Sequence, residues 1–219
     1  MAMDAVGRQL VDRDARLVRL LAPPFNRSNP NPGYIQGYLR GVRENGGQYT
    51  HAAVWAALAY VAIADCERAW EIATMINPIN HARTSEASAL YTTEPYVLAA
   101  DVYALAPHTG RGGWTWYTGS AGWMYRLLVE SLLGLRIEGD TLRIEPCLPL
   151  DWTAYTLQYR FRETVYHITV TQTIEGGVGQ QMNMDGVDVV DQLVQLVDDR
   201  RDHRVAVTIR SRDANAGEA

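Results

Sequence analysis

Cysteine is almost missing from this chain. Cys66 and Cys147 stand alone without framework spacing, which excludes a disulfide scaffold and predicts two reduced thiols of an intracellular protein. A basic excess is missing too. The formal net charge is −5, so a general nucleic-acid or membrane-surface binder is excluded and no nucleic-acid partner is expected. No apolar run approaches the ~20 residues that span a bilayer, and nothing after Met1 has the basic-then-apolar form of a signal peptide. The expected location is the cytoplasm. HExxH, CxxC, a P-loop and a GxGxxG ahead of a helix are all absent, so neither a metal nor a nucleotide is expected. Phenylalanine is as scarce as cysteine, against twelve Tyr and six Trp. Rings that carry a polar tip suit a wet, sugar-lined cleft.

What is present divides into a helical part and a strand part. Tyr49 to Ala64 is apolar with almost no charge, which predicts a helix buried on most sides. Asp65 interrupts, Cys66 to Ile76 resumes, and Pro78 stops the run, so the two helices form an αα-hairpin. A polar loop from Asn80 to Thr93 leads to a third helical candidate, Tyr96 to Leu105, and a fourth covers Ser120 to Leu133. After Gly134 the period changes to two: Leu157, Tyr159 and Phe161 alternate with Gln158, Arg160 and Arg162. Val165 to Thr173 reads as the return strand, Asp185-Gly186 as a hairpin turn, and Arg204 to Ile209 as a last strand. The expected organisation is helical to residue 134, a small antiparallel β unit over 135–211, and a disordered tail at 212–219. So few helices, the first nearly uncharged, cannot all hide their apolar faces in each other, and the helical layer reads as part of something bigger.

Two segments concentrate the chemistry. Arg111 to Trp123 holds four glycines and three tryptophans in thirteen positions. Small residues let a backbone approach a ligand, and indoles offer flat faces. Thr118-Gly119-Ser120 stands where the fourth helix begins, and free N–H groups at a helix start favour an anion. The alternative is that Ser or Thr caps a buried helix whose tryptophans are core. Arg43 to His51 packs eight polar or glycine positions ahead of an apolar helix. Glu44 can accept from sugar hydroxyls and His51 can donate to an oxyanion. The alternatives are a surface carboxylate and a satisfied histidine. Glu94, Asp101 and His108 flank the third helical candidate and face either a cleft or water. Asp151-Trp152 reads as a turn.

Arg43-Glu44-Asn45-Gly46-Gly47-Gln48-Tyr49-Thr50-His51-Ala52, Glu94-Pro95-Tyr96-Val97, Trp114 to Trp123 and Ile144-Glu145-Pro146-Cys147-Leu148-Pro149 resemble, in that order, the C-terminal part of glycoside hydrolase family 94. These are inverting β-glucoside phosphorylases, with the phosphorylase-like domain of cyclic β-1,2-glucan synthases. Ala99-Ala100-Asp101-Val102-Tyr103 and the lead-in from Ala22 to Ile35 resemble the β-1,2-glucan branch. Leu39-Arg40 depart from the two prolines usual before Gly41, which leaves that loop's conformation open.

The resemblance implies a fold: the C-terminal part of an (α/α)6 barrel followed by a small antiparallel β-sandwich unit. It also implies roles. His51, the Thr118 hydroxyl and the Gly119 N–H become parts of a phosphate cradle, and Glu44 contacts the sugar on the acceptor side. An inverting phosphorylase uses phosphate where an inverting glycosidase activates water, so it needs one acid plus the cradle. No aspartate here stands in the acid's motif, so no catalytic residue is assigned in this chain and no turnover is expected from it alone. The expected partners are a β-glucan oligosaccharide, inorganic phosphate as co-substrate without another cofactor, and the upstream half of the same barrel, covalent or separate. A homo-oligomer is a further expectation, and a cyclic glucan synthase parent would hold this domain on the cytoplasmic side of the inner membrane. The competing readings are a non-catalytic carbohydrate- or phosphate-binding remnant and a structural assembly module.

Overall fold

The computed structural model describes residues 1–173 and 179–210; the tail expected to be disordered at 212–219 lies outside them. Two compact units divide the chain, residues 1–128 and 129–219. Among the described residues no helix is long and apolar enough to cross a membrane.

The first unit opens with helix α1 (Ala2–Gln9) and a short antiparallel hairpin, β1 (Val11–Asp12) and β2 (Leu17–Val18). After a 3-10 turn at Gly33–Gly37 come strand β3 (Gln48–Tyr49), helix α2 (Thr50–Ala62) and helix α3 (Cys66–Ile76). The predicted αα-hairpin is there. Ala64 turns the chain at φ 60°, and the Asp65 carboxylate caps α3 by accepting the Arg68 N–H at 3.2 Å. α2 is not buried on most sides. It hides Ala53, Val54, Ala57 and Tyr60, which fall on one face at helical spacing, while Trp55 stays more than half exposed.

Two expectations fail in the next stretch. The presumed loop from Asn80 holds helix α4 (Pro78–His81) and helix α5 (Ser85–Tyr91). Asn77 and Thr84 cap them by accepting the N–H groups of Ile79 and Ala87, a cap pattern readable in the sequence. The presumed third helix, Tyr96 to Leu105, is instead extended and contains strand β4 (Asp101–Val102). Val97 to Val102 and Ala104 are all buried, and a short apolar run enclosed on both faces suits a strand as well as a helix. Helix α6 (Thr118–Arg126) follows, and the chain leaves this unit through a π-helical turn, Leu127–Leu132.

The second unit contains β5 (Leu135–Glu138), β6 (Thr141–Ile144), β7 (Ala154–Phe161), β8 (Thr164–Thr173), β9 (Gln181–Met184), β10 (Val187–Asp188), β11 (Leu193–Gln195) and β12 (Asp202–Arg210). One sheet has the order β11-β6-β5 and the other β10-β9-β12-β8-β7. They share one core, in which Leu142, Ile144 and Val194 meet Tyr166, Ile168, Val170, Val205 and Val207. The hairpins predicted at Arg162-Glu163 and Asp185-Gly186 both form. The unit is antiparallel-rich but not wholly antiparallel. β12 lies parallel to β8, from Asp202 opposite Val165 to Arg210 opposite Thr173, because the chain between them is long enough for a crossover rather than a tight turn.

Among the described residues neither Cys66 nor Cys147 is a free thiol, which corrects the expectation of reduced thiols.

Candidate functional site

Much of the polar motif at 43–51 is internal scaffolding. The Asn45 side chain, fully buried, accepts the Phe25 N–H at 2.7 Å and donates to the carbonyls of Phe25 and Tyr38. Gln48 accepts the Val18 N–H at 3.0 Å and donates to the Thr50 hydroxyl. Gly47 packs so closely on Arg43 that a Cβ would sit 2.8 Å from the Arg43 nitrogen, and the Gly47 N–H bonds the Arg43 carbonyl at 3.0 Å. This closes a tight loop in which Arg43 adopts a left-handed φ of 46°, unusual for a side-chain-bearing residue.

Three side chains of the motif remain incompletely satisfied. Arg43 and Glu44 approach at 3.5 Å with side chains 17% and 16% exposed. Arg43 Nε and Glu44 Oε2 nevertheless lack a hydrogen bond of normal geometry, and so does the buried His51 Nε2. The Arg43 guanidinium lies 5.6 Å above the Tyr38 ring. Burial opposes its charge, but the Tyr117 hydroxyl and the Glu44 carboxylate outweigh that and hold its pKa above the ordinary arginine value.

A small ladder aligns this loop with the glycine- and tryptophan-rich segment. β3 pairs antiparallel with β4, Gln48 opposite Val102 and Tyr49 opposite Asp101. On its other side β4 takes the chain at 112–114: Val102 bridges Gly112, the Ala100 N–H bonds the Trp114 carbonyl, and the Gly113 N–H bonds the Asp101 carbonyl. Both flanking segments run antiparallel to β4 and therefore parallel to each other. β3 runs directly into α2, and 112–114 leads to α6, so both helices begin at the same end of the ladder.

At that end α6 carries no cap. Its N-cap position is Tyr117, which makes no side-chain cap bond. The Ser120 hydroxyl turns back to the Tyr117 carbonyl at 3.3 Å. Thr118 and Gly119 are exposed, and space beside Gly119 is open, with nothing within 4 Å of where a Cβ would stand. The capping alternative for Thr118 therefore does not describe this helix, and Trp114 and Trp116 are exposed rather than core. One turn along each helix, Trp55 and Trp123 meet edge to face at 5.5 Å, and the His51 ring lies 5.0 Å from Trp55 and 6.0 Å from Trp123. Arg126 stands 5.0 Å over Trp123.

The weaker candidates scatter. Glu94 accepts the Trp116 indole N–H at 3.0 Å, the bond that chiefly lowers its pKa. His108 meets the Tyr103 ring edge-on at 6.4 Å, and Asp151-Trp152 forms the expected turn, the Trp152 N–H bonding Pro149. Asp101 is different. It is fully buried, burial pushes its pKa up, and its Oδ1 accepts the Trp114 N–H at 3.1 Å. Sequence reasoning left Asp101 undecided, its run being taken for a helix, and it did not single out Trp55. Among the described residues no group of three or more His, Cys, Asp or Glu side chains is placed to hold a metal ion.

The loop, the ladder and the uncapped helix start all lie within a stretch whose sequence matches one class of catalytic domain. The catalytic-domain profile of the glycosyl hydrolase 94 superfamily covers residues 1–134, and the chain belongs to that family; residues 135–174 match the C-terminal domain of glycosyl hydrolase family 65. Among individual proteins it is 50% identical over 176 residues to the cyclic β-(1,2)-glucan synthase of Rhizobium meliloti, covering 80% of this chain and 6% of that protein. It is 31% identical to the N,N'-diacetylchitobiose phosphorylase of Vibrio furnissii and 28% identical to the solabiose phosphorylase of Paenibacillus borealis. These matches cover 86% and 85% of this chain, and 24% of each relative. The chain thus spans no more than a quarter of the length of these relatives.

Proposed function

We propose that this chain is the C-terminal segment of an inverting β-glucoside phosphorylase or cyclic β-1,2-glucan synthase, and that it supplies the phosphate cradle and part of the sugar site. His51, the Thr118 hydroxyl and the Gly119 N–H hold inorganic phosphate, the co-substrate, and no further cofactor is needed. Glu44 accepts from sugar hydroxyls on the acceptor side. The helices of residues 1–134 complete an (α/α)6 barrel with the upstream half, which brings the general acid, and the assembly works in the cytoplasm or on the cytoplasmic face of the inner membrane. Linkage of the glucan is set jointly with that half.

The observation that most supports this reading is the shared ladder. It starts α2 and α6 at one end, so an imidazole with an unpartnered Nε2 and an uncapped helix N-terminus belong to the same face. A helix start and a histidine are both good donors to a phosphate oxygen. Without a general acid on the order of 10²–10⁴ in rate is lost, so the chain alone is expected to be silent.

The test is release of glucose 1-phosphate from linear β-1,2-glucooligosaccharides and phosphate. Silence of the chain alone, turning to activity when the upstream half is added, supports the split site. Product from the chain alone overturns it, and phosphate binding that never yields product with the upstream half makes the chain a non-catalytic binding segment.

A further inference from the structure

Of the groups that lack partners, one is out of reach of any ligand. Asp101 is 0% exposed, and it touches both halves of the candidate site. Its Oδ1 accepts the Trp114 N–H at 3.1 Å, its carbonyl takes the Gly113 N–H at 2.8 Å, and the Arg43 main-chain N–H also faces its carboxylate. Gly113 carries no side chain where a Cβ would overlap that carboxylate. Two segments therefore close on one buried acid, the left-handed Arg43 of the sugar-side loop and the strand that leads to α6. Burying a carboxylate is costly unless it fixes something. A residue whose only role was to fill this space would be apolar.

We propose that Asp101 is a positioning residue: by binding the Arg43 loop and the 113–114 strand together, it sets Glu44 against the start of α6. It does not touch substrate. This deepens the functional reading above, on which its consequence for sugar binding rests, while the clamp itself is a property of the chain.

Asp101→Asn keeps an acceptor for Trp114 but turns an amide or a lost charge toward Arg43. Gly113→Ala displaces the same carboxylate by direct overlap and serves if the first variant folds poorly. Both are compared with the unaltered full chain by amide hydrogen exchange and by titration with glucose and with inorganic phosphate, followed through tryptophan fluorescence. The expected result is exchange about tenfold faster at Arg43, Glu44 and Trp114, with the Val165–Thr173 strand unchanged. The half-saturating glucose concentration rises severalfold, and that for phosphate stays the same. Unchanged exchange at those three amides overturns the proposal. Faster exchange throughout the first unit, with both ligands weakened equally, overturns it too, since that is general loss of structure. If the unaltered chain binds neither ligand even with the upstream half added, the functional reading fails, and the exchange pattern still decides whether Asp101 clamps the loop.

Discussion

The two units treat buried polar groups in opposite ways. In the second, His203 sits between Asp185 at 2.6 Å and Asp199 at 3.2 Å, Asp198 takes the Glu163 N–H and the Thr164 hydroxyl, and the Gln172 amide serves two carbonyls. In the first, seven buried side-chain atoms lack a hydrogen bond of normal geometry, while among the described residues of the second there are none. Four of the seven, on Arg43, Glu44, His51 and Asp101, belong to the ladder and its loop. An unsatisfied buried polar group costs about 1–3 kcal/mol, so a cluster of them is kept where a ligand or another segment supplies the partner. On the proposed function, the closed β unit is scaffold and the open helical unit carries the chemistry.

That contrast predicts its largest effect in the shared core of the sheets. Ile168→Ala removes a side chain 1% exposed between the two sheets and should cost about 2–5 kcal/mol in chemical denaturation. Trp55→Ala, larger in volume but more than half exposed, should cost well under half as much. Equal losses would mean that the first unit is as tightly closed as the second.

The next effect is one of pH. Both ring nitrogens of His203 face carboxylates, which accept only, so the ring carries both protons, and bonding to Asp185 raises its pKa. The ring also stacks on Tyr166 at 5.0 Å, and Arg201 lies 3.9 Å from Asp199. A raised folded-state pKa means stability fully present below the unfolded value of 6.5 and lost as pH climbs through the folded value. Asp185 and Asp199 are lowered, chiefly by the N–H groups of Arg204 and Arg201, so their share is lost as pH falls through their folded values. Melting temperature measured against pH should therefore decline on both sides of a mildly acidic maximum. His203→Gln should flatten the alkaline limb, and an unaltered limb would show that the ring is neutral.

The strand unit was the more legible in sequence. Period-two alternation, the Arg162-Glu163 hairpin and Asp185-Gly186 are local signals, and each formed where expected. The parallel pairing of β12 with β8 is a long-range choice that no local pattern carries. The helical unit misled at Val97 to Ala104, where burial on both faces removes the periodicity that separates strand from helix. At the site, Asn45 and Gln48 looked as chemical as Glu44 and His51. Only the fold divides them, because what matters is which side chains have already found partners.

A smaller change sits at the imidazole. His51→Ala should weaken phosphate binding by about ten- to hundredfold, the worth of one charge-assisted hydrogen bond, read by titration calorimetry of the assembled enzyme. Its effect on stability should be modest: Nε2 has no hydrogen-bond partner to lose, and what goes is the ring's contact with Trp55 and Trp123. Unchanged phosphate affinity would remove His51 from the cradle.

The smallest effect on the fold comes at Gly119, and its sign is what matters. A methyl there meets nothing within 4 Å and requires no left-handed backbone, and alanine is favoured over glycine inside a helix by roughly 0.5–1 kcal/mol. Gly119→Ala should therefore raise the melting temperature slightly. The same methyl stands beside the N–H assigned to phosphate, in space that is open only while no ligand fills it, so phosphate affinity should fall as stability rises. A gain in stability with no loss of affinity would place the phosphate elsewhere, because an open glycine at an uncapped helix start is then only a weak link in the helix.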